Sequence, residues 1–536
     1  MPSNEVASAG GRFLLGDDAR IFTPEDFGSD EQLMIKTASD FARREVNPVI
    51  DRLDKQEEGL MESLFAKVGA LGFAGPETPE EYGGLGLSKS LGTRMLEHLS
   101  LNGSFSTTVA VHMGIGQAPI YLWGTEEAAQ KYLPRLASGD WMSAYALSEP
   151  NSGSDALGMS TRCSRDGDDY VLDGTKMWIS NAKWAKTFIT FAKSEDGKIQ
   201  AFIVERDFDG ASIGPEEHKT GLKGSSTARL ILDGVRVPKE NLIYREGEGH
   251  RVAFNALNLG RLKLGSMSLG PARSALHHAA KYSKERKQFG CAISEFGLIR
   301  QKLADCAALF YAAESVLYRT SHLVDTAFER VSGADRLEDN RKASEVYAVE
   351  CSMNKVFSTE VLGLCADEAL QVHGGYGFTE EFPVARIWRD ARVTRIYEGT
   401  NEINRTFIFE RLLKQGVVDE LHSVAPSSFI HELLRDAFLA AKDVQRSQQV
   451  SAALSDLAIF YYAESSAKAR AAQVGNAFVC DAASVALPIL EAKAAAAAAE
   501  VFARIGIERT VSLPAADFSR SDALAEHVLE ANGYPA

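Results

Sequence analysis

The chain has 536 residues, of which 45% are hydrophobic and 24% are charged. This length exceeds what one compact core usually accommodates, so about two to four packed units are expected. The 58 Lys and Arg residues against 73 Asp and Glu residues give a formal net charge of -15. That charge repels phosphate backbones and therefore argues against DNA or RNA as a partner.

The cysteines and the amino terminus bear on the compartment. No C-x-x-C pair occurs, which argues against a zinc site or a disulfide framework and favours a reducing compartment. The start of the chain lacks the basic residues and apolar core of a signal peptide, and Asp17 and Asp18 are unlike a transit peptide. We therefore expect a cytoplasmic protein whose cysteines are small buried thiols: Cys163, Cys291, Cys306, Cys351, Cys365 and Cys480.

The first region with a clear pattern covers residues 29–140 and is predicted to be a helical domain. Leu33, Thr37 and Phe41 recur four residues apart, which is the spacing of one helix face. Further along, Thr125 is suited to cap a helix because its hydroxyl accepts a bond from an unpaired amide of the first turn.

The hydrophobic pattern changes over residues 141–248, where short apolar runs alternate with turn residues such as Asp173-Gly174. Such runs are typical of strands, and their spacing predicts a small antiparallel β domain, which we expect to be a barrel. The predicted strands contain the runs 170–172, 177–179, 188–192, 201–204 and 230–232.

Helical periodicity returns over residues 249–416 and predicts a bundle of long helices. One helix face is formed by Leu269, Ala272, Leu276 and Ala280. Basic residues follow between positions 281 and 287, where they favour the carboxyl end of a helix.

The last region, residues 417–536, is rich in alanine and is predicted to be a helical extension. Its six-alanine run, 494–499, is flanked by Lys493 and Glu500. These charges exclude a simple membrane span. The sequence gives no motif that assigns a chemical role to the extension.

A loop with small and hydroxyl side chains runs from Tyr145 to Asp155. Its amides and hydroxyls could hold a phosphate or a ring edge, and an ordinary surface loop is the alternative. No G-x-G-x-x-G or P-loop motif follows a strand and opens a helix, which argues against a Rossmann cofactor site.

The segment Arg395-Ile-Tyr-Glu-Gly-Thr-Asn-Glu-Ile-Asn-Arg405 presents the carboxylate of Glu398 next to Gly399. A glutamate in such a loop is most often solvated, so the segment alone gives only a hypothesis of catalysis.

Seven motifs, in order, resemble the acyl-CoA dehydrogenase family over about residues 29–413. The resemblance implies a helical domain (29–140), a β-barrel domain (141–248) and a four-helix bundle (249–416), followed here by the extension (417–536). The motifs are Pro79-Glu-Glu-Tyr-Gly-Gly-Leu-Gly86, Leu147-Ser-Glu-Pro-Asn-Ser-Gly-Ser-Asp155, Lys176-Met-Trp-Ile-Ser-Asn181, Asp233-Gly-Val-Arg-Val-Pro238, Glu285-Arg-Lys-Gln-Phe-Gly290, Gln371-Val-His-Gly-Gly-Tyr-Gly377 and Tyr397-Glu-Gly-Thr400.

The resemblance implies FAD as the cofactor. By position, Tyr145, Leu147 and Ser148 would line the flavin, and Trp178 and Ser180 would contact its isoalloxazine ring near N5. An indole supplies a rigid wall and a hydroxyl can donate to a ring nitrogen. Without the resemblance, Trp178 could equally be core filler in a hairpin.

Other matched positions concern the phosphates and a second subunit. Ser154 would lie where the phosphates of cofactor and acyl-CoA approach, and Thr400 and Glu402 match further cofactor positions. A homodimer is implied, because in the family one subunit helps to hold the adenine half of its neighbour's FAD. The corresponding residues here are Arg286, Gln288, Phe289, Gln371, Gly374 and Gly375.

The resemblance also gives Glu398 a role, as the base that removes the α-proton of an acyl-CoA while flavin N5 accepts the β-hydride. Some family members place this base on the long helix, where this chain has Gly260. The product would be a trans-2-enoyl-CoA. Positions that match substrate contacts are Ser154, Asn258, Arg261, Tyr397 and Gly399.

The extension resembles that of the very-long-chain branch of the family, in which it can touch membranes. Contact with the inner membrane face is the corresponding expectation here, although the extension is shorter and not notably basic. Small residues at 107–116 favour a long acyl chain. Electrons would pass to electron-transferring flavoprotein; an oxidase that uses O2 and a scaffold that binds a partner through the extension are the alternatives.

Overall fold

The computed structural model describes residues 10–16, 20–331, 333, 335–442, 447–516 and 518–535. The predicted lack of a targeting segment depends partly on residues outside these ranges. The helices are α1 (Ser29–Phe41), α2 (Ile50–Asp54), α3 (Leu60–Ala70), α4 (Lys89–Leu99), α5 (Gly103–Val111), α6 (Ala118–Trp123), α7 (Glu126–Ala137), α8 (Gly249–Glu285), α9 (Gly297–Arg330), α10 (Arg336–Val346), α11 (Ala348–His373), α12 (Pro383–Val393), α13 (Asn401–Lys414), α14 (Val417–Glu420), α15 (Phe429–Ala441), α16 (Gln448–Val474), α17 (Ala477–Arg504) and α18 (Ser521–Glu530).

The strands lie between α7 and α8, apart from a short pair that follows α8. They are β1 (Met142–Ala146), β2 (Arg162–Asp166), β3 (Asp169–Ser180), β4 (Ala185–Lys193), β5 (Ile199–Glu205), β6 (Ala211–Ile213), β7 (Thr227–Val237), β8 (Lys287–Gln288) and β9 (Cys291–Ala292). All five predicted apolar runs lie in strands, and the predicted order of helical, β and helical regions is confirmed. The expected turn at Asp173-Gly174 was wrong, because both residues lie inside β3, at a register shift against β7.

The chain forms two compact units. Unit 1 comprises Leu33–Lys263 and Val324–Val346, and unit 2 comprises the described parts of Pro2–Gln32, Leu264–Leu323 and Tyr347–Ala536. Unit 1 therefore contains the main sheet, and unit 2 contains both the segment with Glu398 and the extension. The four domain boundaries inferred from the sequence stay a prediction.

The main sheet of unit 1 has the strand order β1-β4-β2-β3-β7-β6, and β5 pairs with β4. Burial alternates along β7, as expected for a strand with one face against a core that includes Phe188 and Phe202. The expectation of a purely antiparallel domain was wrong, since β1 runs parallel to β4. No hairpin joins these two strands, so their direction was not encoded in a local turn.

Helix ends in unit 1 follow the capping rules. Thr125 precedes α7, and its Oγ1 accepts a bond from the N–H of Ala128 at 3.1 Å, as predicted. In α1 the expected face was only partly right, because Leu33 is 65% exposed. The buried stripe there is Ile35, Ala38 and Phe41, at the three-residue spacing that also keeps side chains on one helix face.

Unit 2 joins the extension to long helices from earlier in the chain. The predicted face of Leu269, Ala272, Leu276 and Ala280 is buried. Glu314 on α9 accepts bonds from Arg470 of the extension at 2.9 Å and from Tyr534 at 3.0 Å. The extension is therefore fixed to this unit by buried charged groups as well as by apolar packing.

The alanine run of the extension lies inside α17, where Ala494 and Ala498 are fully buried. Small side chains allow the backbone of this helix to approach its neighbours closely. No helix within the described ranges combines the length and the hydrophobicity needed to span a bilayer.

Candidate active site

Glu398 lies in the loop between α12 and α13 in unit 2, and its backbone is unusual. Its φ is 59°, and that of Gly399 is 80°. Glycine tolerates this left-handed conformation, but a glutamate there meets a steric penalty. Surrounding contacts must hold Glu398 in this conformation, and such strain is concentrated at functional sites.

Those contacts come from two fully buried side chains. Lys355 donates from Nζ to the carbonyl oxygen of Gly399 at 2.8 Å and to Oδ1 of Asn401 at 2.7 Å. Asn404 donates from Nδ2 to the carbonyl oxygen of Gly399 at 2.8 Å and to that of Thr400 at 3.0 Å. The carbonyl of Gly399 thus accepts two bonds, which fixes the peptide next to Glu398.

The start of α13 completes the loop. Thr400 is the N-cap, and its side chain accepts a bond from the N–H of Ile403 at 3.2 Å. Bonds from its own backbone N–H and from Thr400 hold the pKa of Glu402 below its usual value. Thr400 and Glu402 therefore stabilise this helix end, whatever else they contact.

The Glu398 carboxylate does not point freely into bulk solvent. The residue is half-buried, and its Oε2 atom is buried. Tyr397 is also half-buried. A partly desolvated carboxylate on a fixed loop has the properties required of a general base.

The predicted flavin residues of unit 1 lie on β1 and the loop after it. Tyr145 and Leu147 are buried, and the Tyr145 hydroxyl donates to the carbonyl oxygen of Ala253 at 3.1 Å. Ser148 is half-buried, and its carbonyl accepts a bond from the N–H of Met177 at 2.8 Å. The loop is thus joined directly to β3.

A buried ion pair secures the same loop. Glu149 accepts bonds from Lys176 Nζ at 2.7 Å, from Ser160 N at 2.5 Å and from Thr161 N at 3.0 Å. Lys176 is fully buried and also donates to the carbonyl of Leu147 at 3.3 Å. The sequence motifs contained Glu149 and Lys176, but no role was predicted for either residue.

The pKa values of this pair reflect burial and mutual attraction. Burial alone would raise the pKa of Glu149, but the charge and hydrogen bond of Lys176 bring it down to about 2. Burial lowers the pKa of Lys176 to about 8, against the opposing effect of Glu149. Both groups are therefore charged at neutral pH.

Trp178 is exposed, unlike Tyr145 and Leu147. Its side chain is 55% exposed and its φ is 61°, at a register shift between β3 and β7. Such a bulge redirects side chains out of the sheet. Ser180 is half-buried, and Ser154 is exposed. Because Trp178 is exposed, its alternative interpretation as core filler is wrong.

Asn258 and Arg261 lie on α8 within unit 1, and both are buried. Arg261 donates to Asn258 Oδ1 at 3.2 Å, and Asn258 Nδ2 donates to the carbonyl of Ser344 at 3.3 Å. Gly260 is buried too, and it offers no carboxylate at the alternative position of the base.

Unit 2 contains a cavity of about 520 Å³ that brings together Arg286, Gln288, Gly374 and Gly375. A Cβ added at either glycine would meet nothing, so the backbone itself lines open space. Gln371 and Phe289 are exposed residues of the same two segments. The remaining lining residues, for which no role was predicted, are Tyr282, Ile293, Val372, His373, Tyr376 and Thr379.

Aromatic rings form much of this cavity. Tyr282 stacks on His373 with ring centroids 4.2 Å apart. Burial lowers the pKa of His373, and its Nδ1 lies 2.7 Å from the carbonyl oxygen of Ala369, so the ring is a packed, neutral residue. Arg286 adds a cation 5.8 Å from the ring centroid of Tyr376.

These properties fit FAD. A cavity of this size with aromatic walls and one cation suits a flat ring system that carries phosphates. In unit 1, the exposed indole of Trp178 and the half-buried Ser180, both on β3, suit a second flat ring with polar nitrogens.

Three domains match known sequences along most of the chain. Residues 28–140, 144–235 and 247–413 match the N-terminal, middle and C-terminal domains of acyl-CoA dehydrogenases. Together with the fold and these residues, the matches define an FAD-dependent oxidoreductase. The chain belongs to the acyl-CoA dehydrogenase family, because the matched ranges cover more than half of its length.

Individual relatives agree. A probable acyl-CoA dehydrogenase of Bacillus subtilis (strain 168) is 45% identical over 419 residues, which cover 77% of this chain and 70% of that protein. The mitochondrial very long-chain specific acyl-CoA dehydrogenase of Macaca fascicularis is 38% identical over 382 residues, 69% of this chain and 55% of that protein. The predicted resemblance to this branch is thereby confirmed.

A solved structure extends the likeness to the extension. The crystal structure of acyl-CoA dehydrogenase complexed with FAD from Bacillus anthracis has a TM-score of 0.92 at 37% identity, and it covers 98% of this chain and 100% of that chain. The predictions of the family, the fold class, the FAD cofactor and the enzyme class are confirmed. The chain is an FAD-dependent enzyme that dehydrogenates acyl-CoA.

Proposed function

We propose that this enzyme converts a long-chain acyl-CoA to the trans-2-enoyl-CoA and that Glu398 removes the α-proton. The observation that carries the proposal is the half-buried carboxylate of Glu398 on a loop fixed by Lys355 and Asn404. A thioester α-hydrogen is weakly acidic, so its removal requires a positioned base and a polarised carbonyl.

The loop supplies both requirements in this proposal. Glu398 takes the α-proton, and its backbone N–H donates to the thioester oxygen, where negative charge develops as the proton leaves. Bound FAD supplies the acceptor for the β-hydride at N5. Tyr397 and Gly399 border the reacting carbons, and Lys355 keeps the peptide between Gly399 and Thr400 from rotating.

The proposed flavin contacts are residues whose positions are described above. Trp178 provides a wall for the isoalloxazine ring, and Ser180 a hydroxyl for N5. Ser154 contacts phosphates, and Thr400 and Glu402 of unit 2 contact the cofactor from the start of α13. On β1 and the loop after it, the residues proposed to line the flavin are Tyr145, Leu147 and Ser148.

Small residues in the helical segment 107–116 of unit 1 bear on the length of the acyl chain. Ala110, Gly114 and Gly116 are buried there, and a Cβ at Gly116 would come within 2.1 Å of Ser143 Oγ. Gly116 is therefore packed closely against Ser143 and does not itself open space for a tail. Support for a long acyl chain comes from the likeness to the very long-chain specific relative. Asn258 and Arg261 are proposed to support the substrate from α8.

A homodimer is proposed from the surface of unit 2. Phe289 is 95% exposed, Phe378 is 86% exposed and Leu298 is 82% exposed, which is unusual for large apolar side chains. We propose that a second copy of the chain covers them and that the cavity near Arg286 takes the adenine half of that copy's FAD. Light scattering of the purified protein tests this, with a monomer as the contradicting result.

Electron-transferring flavoprotein is the proposed electron acceptor, in keeping with dehydrogenase rather than oxidase members of the family. Anaerobic reduction with acyl-CoA followed by mixing with oxygen separates a dehydrogenase from an oxidase: slow reoxidation supports a dehydrogenase, and fast reoxidation indicates an oxidase.

We also propose a cytoplasmic location, because all six cysteines are free. Contact of the extension with the inner membrane face is not part of the proposed location.

The main experiment is an anaerobic titration of the purified holoenzyme with saturated acyl-CoAs of graded length. The proposal predicts bleaching of the flavin absorbance, with the tightest response for long chains. Equal or better bleaching by a four-carbon substrate would contradict the chain-length assignment. No bleaching by any length would contradict the proposed reaction.

A further inference from the structure

The extension contacts the helix that begins at the Glu398 loop. Arg405, on the second turn of α13, donates from Nε to Asp456 Oδ1 of α16 at 2.8 Å. Ser455, the residue before it, donates from Oγ to the backbone carbonyl of Arg405 at 2.6 Å. Two adjacent residues of the extension therefore hold both the side chain and the backbone of one residue on α13.

The same arginine connects the extension with α11. Its Nη2 atom lies 2.9 Å from Glu360 Oε1. That oxygen also accepts a bond from Asn401 Nδ2 at 3.1 Å. Glu360 thus binds both Arg405 and Asn401, the first residue of α13.

Asn401 continues the contacts to the loop. Its Oδ1 accepts a bond from Lys355, which also holds the carbonyl oxygen of Gly399. Polar contacts therefore run without a gap from Asp456 of the extension to the peptide between Gly399 and Thr400, one residue beyond Glu398. Every residue in this series belongs to unit 2.

These charges lie where water screens them poorly. The side chain of Arg405 is 15% exposed and that of Asp456 is 24% exposed. Burial raises the pKa of Asp456 to about 6, against the opposing charge and hydrogen bond of Arg405. The charged groups that face Asp456 are Arg405 of α13, Glu360 of α11 and Glu500 of α17, and the two carboxylates also raise its pKa.

We propose that the extension positions the catalytic base: Asp456 fixes Arg405, and Arg405 with Glu360 fixes the start of α13 and the loop that carries Glu398. Asp456 is thus a positioning residue, and this inference rests on the proposed role of Glu398. It gives residues 417–536 a part in the reaction rather than in stability alone.

The expected effect is on the rate of the chemical step. Displacing a reacting group by about 1 Å costs on the order of 100-fold in rate, so a partial loss of the hold on α13 should cost between about 10-fold and about 100-fold. Thr400 and Glu402, at the start of α13, are proposed cofactor contacts, so FAD is added in excess and the rate is expressed per FAD-loaded molecule. A purely structural role would instead lower stability and leave the rate per folded, FAD-loaded molecule intact.

The test compares Asp456→Asn with Asp436→Asn in the full-length holoenzyme. Asp436 is a matched control: it lies on α15 of the extension, its side chain is 23% exposed and it is paired with Arg435 and Arg509. Each variant is measured for FAD content, thermal midpoint and the rate of flavin bleaching at saturating long-chain acyl-CoA. The dissociation constant for the acyl-CoA is measured separately.

The proposal predicts that FAD-loaded Asp456→Asn bleaches about 10-fold or more slowly than wild type at saturating acyl-CoA, while Asp436→Asn matches wild type. Equal rates for the two variants would overturn it. If Asp456→Asn does not fold, Ser455→Ala replaces it. That variant should lose about 3-fold in rate, and a wild-type rate would overturn the proposal.

The dependence on pH gives a second readout. Asp456 is ionised, and therefore paired with Arg405, above its pKa of about 6. As the pH falls through 6, the wild-type bleaching rate should drop toward that of Asp456→Asn, and the ratio of the two rates should approach one. A constant ratio between pH 5 and pH 8 would contradict the proposal. Absence of bleaching in wild type would instead overturn the proposed function itself.

Discussion

The loop after β1 in unit 1 and the Glu398 loop in unit 2 are both held by a fully buried lysine, yet in different ways. Lys176 donates to Glu149, a carboxylate of the loop itself, and to the carbonyl of Leu147. Lys355 donates to the carbonyl oxygen of Gly399 and the amide oxygen of Asn401, which are neutral atoms.

The difference bears on the proposed role of Glu398. Glu149 is occupied by its bonds to Lys176, Ser160 and Thr161, and its pKa of about 2 makes it a poor proton acceptor. In the other loop, Lys355 binds backbone and amide oxygens next to the acid. The acidic residue of the first loop anchors that loop, whereas in the second loop Lys355 anchors the backbone beside Glu398, the proposed base.

The largest effect is expected for Glu398→Gln. Loss of the base should lower turnover by about 1,000-fold or more, because general base catalysis contributes up to about 10,000-fold. The flavin spectrum and FAD content should be unchanged. Steady-state assays measure the effect, and Glu410→Gln, an exposed position at the far end of α13, is the control. Wild-type turnover in Glu398→Gln would contradict the proposed role of Glu398 and with it the distinction between the two loops.

A smaller effect is expected for Lys355→Met, which removes two bonds from the Glu398 loop. Turnover should fall by about 100-fold because the base is no longer held in place. FAD content should stay near that of wild type, and the thermal midpoint should fall, since charged hydrogen bonds contribute about 1.5–3 kcal/mol each. If kcat stayed unchanged while KM rose, the lysine would act on substrate binding and not on the base.

The corresponding change in the other loop, Glu149→Gln, should mainly weaken cofactor binding. It leaves Lys176 buried without its anionic partner, which destabilises a site by about 3 kcal/mol. The loop around Ser148 should loosen, so the dissociation constant for FAD rises while turnover at saturating FAD stays within about 3-fold of wild type. If turnover were low and added FAD did not restore it, the assignment of separate roles to the two loops would be contradicted.

The smallest effect concerns acid stability. The folded-state pKa of Glu149 is below its unfolded value of 4.5, so the stability that it contributes is present above pH 4.5 and is lost as the pH falls toward 2. FAD release from wild type should therefore increase in that interval, as measured by flavin fluorescence. Glu149→Gln should release FAD with a weaker dependence on pH over the same interval.

The sequence predicted the parts of the molecule that local patterns encode. Strand runs and the Thr125 cap are local, and the structure has them as expected. The motif containing Glu398 is also local, and its catalytic role stays a prediction. Lys355 carried a weak signal, a lone lysine in an apolar stretch of helix, that was not recognised.

Other features depend on residues that are distant in sequence. Arg405 and Asp456 are 51 positions apart, and Glu360 comes from a third helix. The parallel pairing of β1 with β4 and the aromatic cavity near Arg286 arise in the same way. No periodicity or spacing rule brings such residues together, because tertiary packing decides which of them meet.

The central claim is that Glu398 removes the α-proton, and proton exchange tests it without depending on oxidation. Wild type and Glu398→Gln holoenzymes are incubated in D2O with an acyl-CoA analogue that has sulfur in place of the β-carbon and so cannot lose a hydride. Mass spectrometry then follows deuterium at the α-carbon. We predict exchange with wild type and none above background with Glu398→Gln; exchange at the wild-type rate in the variant would contradict the assignment.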